Sequence, residues 1–198
     1  GVARPGLAAV NVATGALLPW APTVTAAIRE MQISDGLLLV TGEVQSANGA
    51  PVTTGFVAFE LSTGAVRPFN VAPLVTVDAV ATWQGTLYLA GQRAGGVGPS
   101  GLRIDVGNGT PQPWNVSLSG IQQLVASPIQ VFARTTGAVV QLGHLFGEQE
   151  GGPLPLGGGV PMDMARGADR LWVATAGFDD YAVHAFSFAS LAALHSPF

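Results

Sequence analysis

The sequence predicts an all-β fold, a β-propeller segment of about four and a half four-stranded antiparallel blades. Three features carry this prediction: a proline–apolar marker at near-regular spacing, a turn dipeptide upstream of it, and a strand–turn–strand element midway between markers. Together they place four short strands in each period of 42 to 49 residues, which is the size of a propeller blade.

The marker is a proline followed by a large apolar residue. Successive copies lie 49, 45, 42 and 42 residues apart. The copies are Pro19-Trp20, Pro68-Phe69, Pro113-Trp114, Pro155-Leu156 and Pro197-Phe198. Because the marker holds a fixed place in every repeat, its apolar residues are predicted to be structural and to pack between adjacent blades. The competing interpretation, an exposed surface on which sugars stack, does not explain the repetition.

A short alternating run ending in an X-Gly turn precedes the first three markers. The turn dipeptides are Thr14-Gly15, Thr63-Gly64 and Asn108-Gly109. Glycine with a positive φ suits a tight hairpin between two strands. This element therefore predicts the third and fourth strands of a blade.

The element midway between markers predicts the first and second strands. It reads as a strand, a turn such as Asp35-Gly36 or Gln84-Gly85, and a strongly apolar β-rich strand. Residues 28–33 could form one helical turn, but their place in the repeat predicts an inner strand. Residues 189–194 carry helix formers, and the same argument predicts an outer strand there.

The repeat divides the chain into one domain of five pieces, at about 1–22, 23–72, 73–117, 118–158 and 159–198. The first piece aligns with the second half of the next repeat, so the chain is expected to begin midway through a blade. An incomplete blade leaves an unpaired sheet edge. We therefore expect at least two strands to come from upstream sequence or from another chain.

The stretch from Asn48 to Phe69, with its Ser62-Thr63-Gly64 core, resembles a family of bacterial secreted propeller repeats sometimes grouped with the delta-60 repeats. Residues 7–20 match it most closely, and the likeness fades beyond about Gly120. The resemblance implies the propeller fold and a location outside the cell. It attaches no catalytic residues to the motif.

The same core is similar to the tryptophan-docking motif of quinoprotein dehydrogenases, where it locks neighbouring blades together. Those enzymes also require calcium ligands, a catalytic carboxylate and usually a vicinal cysteine pair. This sequence has no cysteine and no matching acidic set. The similarity therefore implies blade packing and not quinone chemistry, and no cofactor is predicted.

Composition narrows the classes of partner. Only 10% of residues are charged, the net charge is −4, and all eight basic residues are arginine without a cluster, which disfavours nucleic acid. No apolar run reaches the roughly 18 residues of a membrane span. The low charge fits either a surface rich in uncharged polar residues or flanks covered by neighbouring blades, domains or subunits.

The candidate binding site is a ring of polar residues at one mouth of the central channel. Alignment of the repeats places Arg29 or Glu30, Asp78, Gln122 and Asp163 near the start of each blade's first strand, which lines the channel of a propeller. These groups could bind a cation or a polar ligand. The alternative is a hydrated channel with no specific ligand.

Other chemistry-bearing residues have simpler interpretations. Asp179 and Asp180 form an acidic pair in a predicted loop and are the candidates for a calcium site, against solvated loop acids as the alternative. His144, His184 and His195 lack metal-ligand spacing, and no Gly-x-Ser-x-Gly elbow supports a nucleophile. The three methionines are expected in the core.

The sequence therefore predicts a non-enzymatic scaffold or binding module in a secreted or surface protein of a bacterium, with the periplasm as an alternative location. A second interpretation is a fragment of a hydrolytic or carbohydrate-active propeller whose catalytic residues lie outside this chain. A third is a subunit of a surface array or filament, for which low charge and an open edge would both be suitable.

Overall fold

The computed structural model describes residues 4, 6–72, 74–96, 100–178 and 180–193. This part of the chain holds seventeen strands, one α-helix and one 3-10 turn at Ala94–Gly96. The strands are β1 (Val24–Thr25), β2 (Ile28–Ser34), β3 (Leu37–Gly42), β4 (Ser46–Ala47), β5 (Ala50–Pro51), β6 (Phe56–Glu60), β7 (Val66–Arg67), β8 (Leu74–Trp83), β9 (Thr86–Arg93), β10 (Gly101–Asp105), β11 (Pro111–Trp114), β12 (Gln123–Ala126), β13 (Val131–Arg134), β14 (Val139–Leu142), β15 (Val160–Arg166), β16 (Arg170–Ala176) and β17 (Tyr181–Ser187). The helix is α1 (Phe188–Ala193).

Blades 1 and 2 are complete four-stranded antiparallel sheets. Blade 1 has the order β2-β3-β6-β7, and blade 2 has the order β8-β9-β10-β11. In both, the first two strands are joined by a two-residue turn whose residues have positive φ, Asp35-Gly36 and Gln84-Gly85. That conformation matches the twist of a β-hairpin, which is why X-Gly occurs there. The prediction of an inner strand at residues 28–33 is confirmed.

Blade 3 departs from four regular strands. It contains β12, β13 and β14, and an isolated bridge between Leu142 and Gln149 marks the place of the fourth strand. Pro153 and Pro155 follow that bridge. Leu154, between the two prolines, still donates its N–H to the Val139 carbonyl of β14 at 2.9 Å, so this segment lies along β14 as an irregular fourth strand.

Blade 4 has three strands, β15, β16 and β17, followed by helix α1. The prediction of an outer strand at residues 189–194 is therefore wrong for the described part of that segment. Phe188 and Leu191, three residues apart, are 6% and 5% exposed and pack into the core between blades 3 and 4. One helical turn presents both to the same surface, and the intervening alanine and serine do not oppose it.

A short N-terminal hairpin precedes blade 1. Its bridge joins Val10 to Leu17, and Gly15 donates its N–H to the carbonyl of Asn11. The same bond recurs from Gly64 to Glu60 and from Gly109 to Asp105. The predicted X-Gly hairpin thus forms three times with one geometry. The hairpin of residues 7–20 occupies the position of a third and fourth strand beside blade 1.

The core lies between blades because the second strand of each is apolar on both faces. Leu38 and Val40 pack towards the N-terminal hairpin, whereas Leu37 and Leu39 pack towards blade 2. We call the face towards the preceding segment the upstream face and the face towards the following blade the downstream face. Burial on both faces explains the unbroken apolar run in this strand.

The first strands of the four blades surround one channel. Residues of β2, β8, β12 and β15 line a common cavity of about 380 Å³ inside it. The starts of the same strands lie at one mouth of this channel, where polar residues converge.

Candidate binding site at the channel mouth

All five residues predicted from the repeat alignment lie on one cavity. Arg29, Glu30, Asp78, Gln122 and Asp163 line a space of about 610 Å³ at the mouth. They come from four different blades, so only the circular arrangement of first strands brings them together. Gln92 and Gly120 extend the rim towards a neighbouring pocket that also includes Asp78.

Blades 1 and 2 contribute a charge pair to the rim. Arg29 Nη1 lies 3.6 Å from Asp78 Oδ1, with side chains 53% and 29% exposed. Thr76 Oγ1 donates a hydrogen bond to the other carboxylate oxygen of Asp78 at 3.4 Å. A bulge in β8 between Val77 and Ala79 leaves Asp78 out of the ladder, and this directs it to the rim. A pair this exposed contributes little stability.

Blades 3 and 4 contribute a denser network centred on Gln123. Its Nε2 donates to Asp163 Oδ1 at 2.8 Å and to the carbonyl of Met164 at 3.0 Å. Its Oε1 accepts from Arg134 Nε at 3.2 Å and from the Met164 N–H at 2.9 Å. Gln122 Oε1 also accepts from Arg134 Nη1, at 2.6 Å. Both polar atoms of Gln123 are thus satisfied, and the network joins the two blades.

Glu30 differs from its neighbours because one carboxylate oxygen is unpaired. Its Oε2 is buried and has no hydrogen-bond partner among the described residues. Burial raises the pKa of Glu30 to about 7, and the negative charge of nearby Asp163 adds to this rise. A hydrogen bond from the Val80 N–H and the positive charge of Arg134 both lower the pKa and so oppose the rise. This side chain therefore changes charge near neutral pH, and its ionised form lacks a counter-charge in direct contact.

The mouth as a whole presents two arginines and three carboxyl groups. Arg29 and Arg134 are engaged by Asp78 and by glutamine oxygens, so the unmatched group is Glu30. A buried carboxylate is stabilised when a cation contacts it directly. The chemistry of the site therefore favours a positively charged group over an anion.

Sequence reasoning missed Gln123 and Arg134. The alignment assigned one polar residue to each blade and selected Gln122, although Gln123 is the next residue and lies opposite Arg134 in the sheet. A second polar residue at the start of an inner strand was the available signal. The partnership with Arg134 depends on strand register, which residue spacing does not reveal.

Deeper in the channel the walls carry different contacts. The Arg166 guanidinium lies 4.7 Å from the centre of the Trp83 ring, joining blade 4 to blade 2 across the channel. Gln32 Nε2 donates to Thr82 Oγ1 at 3.3 Å. Met31 is 56% exposed here, and Met162 of β15 is 55% exposed, so the expectation that all three methionines are core is wrong; Met164 alone is buried.

Of the two predicted calcium candidates, Asp180 is not among the residues that line this cavity. Asp179 lies outside the described residues, and Asp180 is exposed and directly precedes β17. Among the residues that the structure describes, no group of three or more His, Cys, Asp or Glu side chains could hold a metal ion.

The histidines hold structural positions where they are described. His144 Nδ1 lies 2.8 Å from Tyr88 Oη, and its Nε2 lies 2.9 Å from the Ser127 carbonyl oxygen. Burial lowers the pKa of His144. His184 Nε2 lies 3.1 Å from Thr175 Oγ1, and His195 is outside the described residues.

The marker residues lie at blade boundaries. Trp114 is fully buried and donates its indole N–H to the Gly143 carbonyl of blade 3 at 2.8 Å; Trp20 makes the corresponding bond to Glu60 of blade 1 at 3.1 Å. Phe69 packs against the core between blades 1 and 2, and Leu156 is buried in the core between blades 3 and 4. Phe198 lies outside the described residues.

Several solved structures resemble this fold, including the following three. BamB from Moraxella catarrhalis matches with a TM-score of 0.57 and 16% identity, over 90% of this chain and 50% of that one. The extracellular domain of BT4673 from B. thetaiotaomicron matches with a TM-score of 0.56 and 13% identity, over 82% of this chain and 21% of that one. The computationally designed protein Ika4 matches with a TM-score of 0.54 and 14% identity, over 82% of this chain and 92% of that one.

This chain therefore spans about a fifth of the BT4673 domain and half of BamB. No family model and no curated protein matches the sequence. Within the described residues, none of the helical segments is long and apolar enough to cross a membrane. The four sheets around one channel and these structural neighbours together establish that the chain has the β-propeller fold.

Proposed function

We propose that this chain is a non-catalytic binding module whose channel mouth takes a ligand bearing an ammonium or guanidinium group. The observation that carries the proposal is the unpaired, buried carboxylate oxygen of Glu30 inside a cavity of about 610 Å³. An uncompensated buried charge is costly, and a cationic ligand offsets that cost directly.

The surroundings of Glu30 support a cation with polar neighbours. Asp163 and Asp78 lie on the same cavity and add negative charge, while Gln122 and Gln92 provide amide groups for orientation. The cavity is large enough for an amino-acid side chain or a small amine and is lined by polar groups, as a specificity site requires. A lysine or arginine side chain of a protein partner and a free small molecule share this chemistry.

We further propose that the module acts outside the cytoplasm of a bacterium. The resemblance of residues 7–20 and 48–69 to secreted propeller repeats supports this location, as does the match to the extracellular domain of BT4673. The absence of cysteine and the low charge are compatible with it.

The test is calorimetric titration of the chain with N-acetyl-L-argininamide and N-acetyl-L-lysinamide. N-acetyl-L-citrullinamide, which is nearly isosteric with the arginine probe but uncharged, is the matched neutral probe. At least one cationic probe should bind, with an association constant that rises up to about tenfold per pH unit below the pKa of Glu30 and levels off above it. The neutral probe should not bind measurably.

Two variants make the result specific. Glu30→Gln removes the charge at nearly constant shape and should weaken the cationic probe at least about tenfold at pH 8, with no remaining pH dependence. Glu43→Gln, an exposed carboxyl outside the cavity, should leave binding unchanged. Failure of both cationic probes to bind, or equal binding by wild type and Glu30→Gln, would contradict the proposal.

A further inference from the structure

The downstream face of blade 4 is open, unlike the downstream faces of the other three blades. At the centre of this face in blades 1, 2 and 3 lie Leu39, Tyr88 and Phe132, which are 1%, 3% and 0% exposed. Each packs against the following blade. Trp172 has the corresponding place in blade 4 and is 40% exposed.

The residues around Trp172 form a largely apolar surface with one charged residue at its edge, Arg170, whose guanidinium lies 5.6 Å from the centre of the Trp172 ring. The ladder between β16 and β17 pairs Trp172 with Ala185, Ala174 with Val183 and Ala176 with Tyr181, all on this face. Val183 is 69% exposed and Tyr181 is 88% exposed. The other face of β16, carrying Leu171 and Val173, is buried against blade 3. An exposed apolar sheet face of this kind marks an interaction surface.

The N-terminal hairpin is open on its upstream face. The bridge between Val10 and Leu17 corresponds to the pairs Phe59–Val66 in blade 1 and Ile104–Pro111 in blade 2. Phe59 and Ile104 are fully buried against the segment before them, whereas Val10 is 55% exposed. The opposite side of this hairpin is already in use, because Leu7 and Trp20 pack on blade 1.

The two open surfaces are the two halves of one interface. Every blade boundary joins the downstream face of one sheet to the upstream face of the next, and this interface occurs three times between the four blades. Within the described residues, blade 4 offers the downstream half without a partner, and the hairpin offers the upstream half. Both are exposed in the single chain, so they do not cover each other within it.

We propose that the downstream face of blade 4 binds the N-terminal hairpin of a second copy of this chain. Val10 of one copy packs near Val183 and Tyr181 of the other, which extends the established blade stacking from chain to chain. The contact joins two different surfaces, so it is a head-to-tail interface that produces a ring if the rotation closes and a chain of copies if it does not. Eight residues pair across β16 and β17 on the blade 4 face, and seven of them are uncharged; the one charge, Arg170, lies over Trp172 and is paired with Asp169.

The test is the mass of the 198-residue chain, measured by analytical ultracentrifugation from micromolar to near-millimolar concentration. Wild type should form particles larger than the 20.1 kDa monomer, with a population that increases with concentration. Val183→Glu and Tyr181→Lys on blade 4, and Val10→Glu on the hairpin, should each be monomeric. Leu145→Glu, a change at a 59%-exposed leucine elsewhere, should assemble as wild type does.

Mixing the variants distinguishes this interface from a symmetric one. Val183→Glu keeps an intact hairpin and Val10→Glu keeps an intact blade 4 face, so an equimolar mixture should form a heterodimer and nothing larger. All substituted residues are exposed, and circular dichroism checks that each variant folds. Wild type that stays monomeric throughout, a Val10→Glu variant that assembles alone, or a mixture that stays monomeric would overturn the proposal.

Discussion

The interface between blades 2 and 3 and the channel mouth follow different physical rules. At the interface, Trp114 is fully buried, packs 5.2 Å from the Tyr88 ring, and has its one N–H donor bonded to Gly143. At the mouth, Glu30 is mostly buried but keeps an oxygen without a partner. The interface holds the fold together, whereas the mouth retains an unmet electrostatic demand that a ligand can meet.

This contrast predicts that substitutions at the interface cost stability at every pH, whereas substitution of Glu30 at the mouth changes stability only where Glu30 is ionised. Three experiments test it, in order of decreasing expected effect.

Trp114→Ala should have the largest effect. It removes a fully buried indole and its hydrogen bond to the Gly143 carbonyl, so the free energy of unfolding should fall by about 3–5 kcal/mol. Trp172→Ala is the matched control, because its 40% exposure in the single chain should limit the loss to about 1 kcal/mol. Urea unfolding of dilute protein measures both, and equal losses would remove the distinction between the two positions.

Glu30→Gln should stabilise the protein, and only at higher pH. The folded-state pKa of about 7 exceeds the ordinary value of 4.5, so the folded wild type binds the proton more tightly than the unfolded chain. The contribution of Glu30 to wild-type stability is therefore greatest below about pH 4.5, decreases as pH rises to 7, and stays low above it. The variant should gain up to about 3 kcal/mol at pH 8 and close to nothing at pH 4.

Urea unfolding of wild type and Glu30→Gln at several pH values measures this difference. A constant difference across the range would show that the carboxyl does not titrate as its environment indicates. The same measurement with a saturating cationic ligand should reduce the difference, because the ligand stabilises the ionised form of wild type.

Arg166→Ala should have the smallest effect. The guanidinium over Trp83 spans the channel in a partly exposed setting, where such a contact contributes about 0.5–1 kcal/mol. Arg166→Lys should recover part of the loss, since an ammonium also interacts with the ring. The measurement is the urea midpoint together with the emission wavelength of tryptophan; a loss as large as that of Trp114→Ala would contradict the assignment of stability to the blade interfaces.

The repeat and the blade architecture that it encodes could be predicted from the residues alone. The glycines in Asp35-Gly36 and Gln84-Gly85 indicate turns because few other residues adopt positive φ. An apolar run in the second strand of each blade requires that both faces of this strand be covered. The same alignment brought five polar residues to one height, since the first strand of every blade begins at the same end of the channel. These residues are Arg29, Glu30, Asp78, Gln122 and Asp163.

The pairing of these groups, in contrast, is set by the folded chain. Whether Glu30 is satisfied depends on which side chains the bulge in β8 and the register of β12 with β13 bring near it, and residue spacing predicts neither. The helix at Phe188–Ala193 replaced an expected strand because packing against blades 3 and 4 favours two apolar residues three apart. Repetition in a sequence predicts the shared positions of blades; the differences between blades arise from contacts over long sequence distances, which form only in the folded chain.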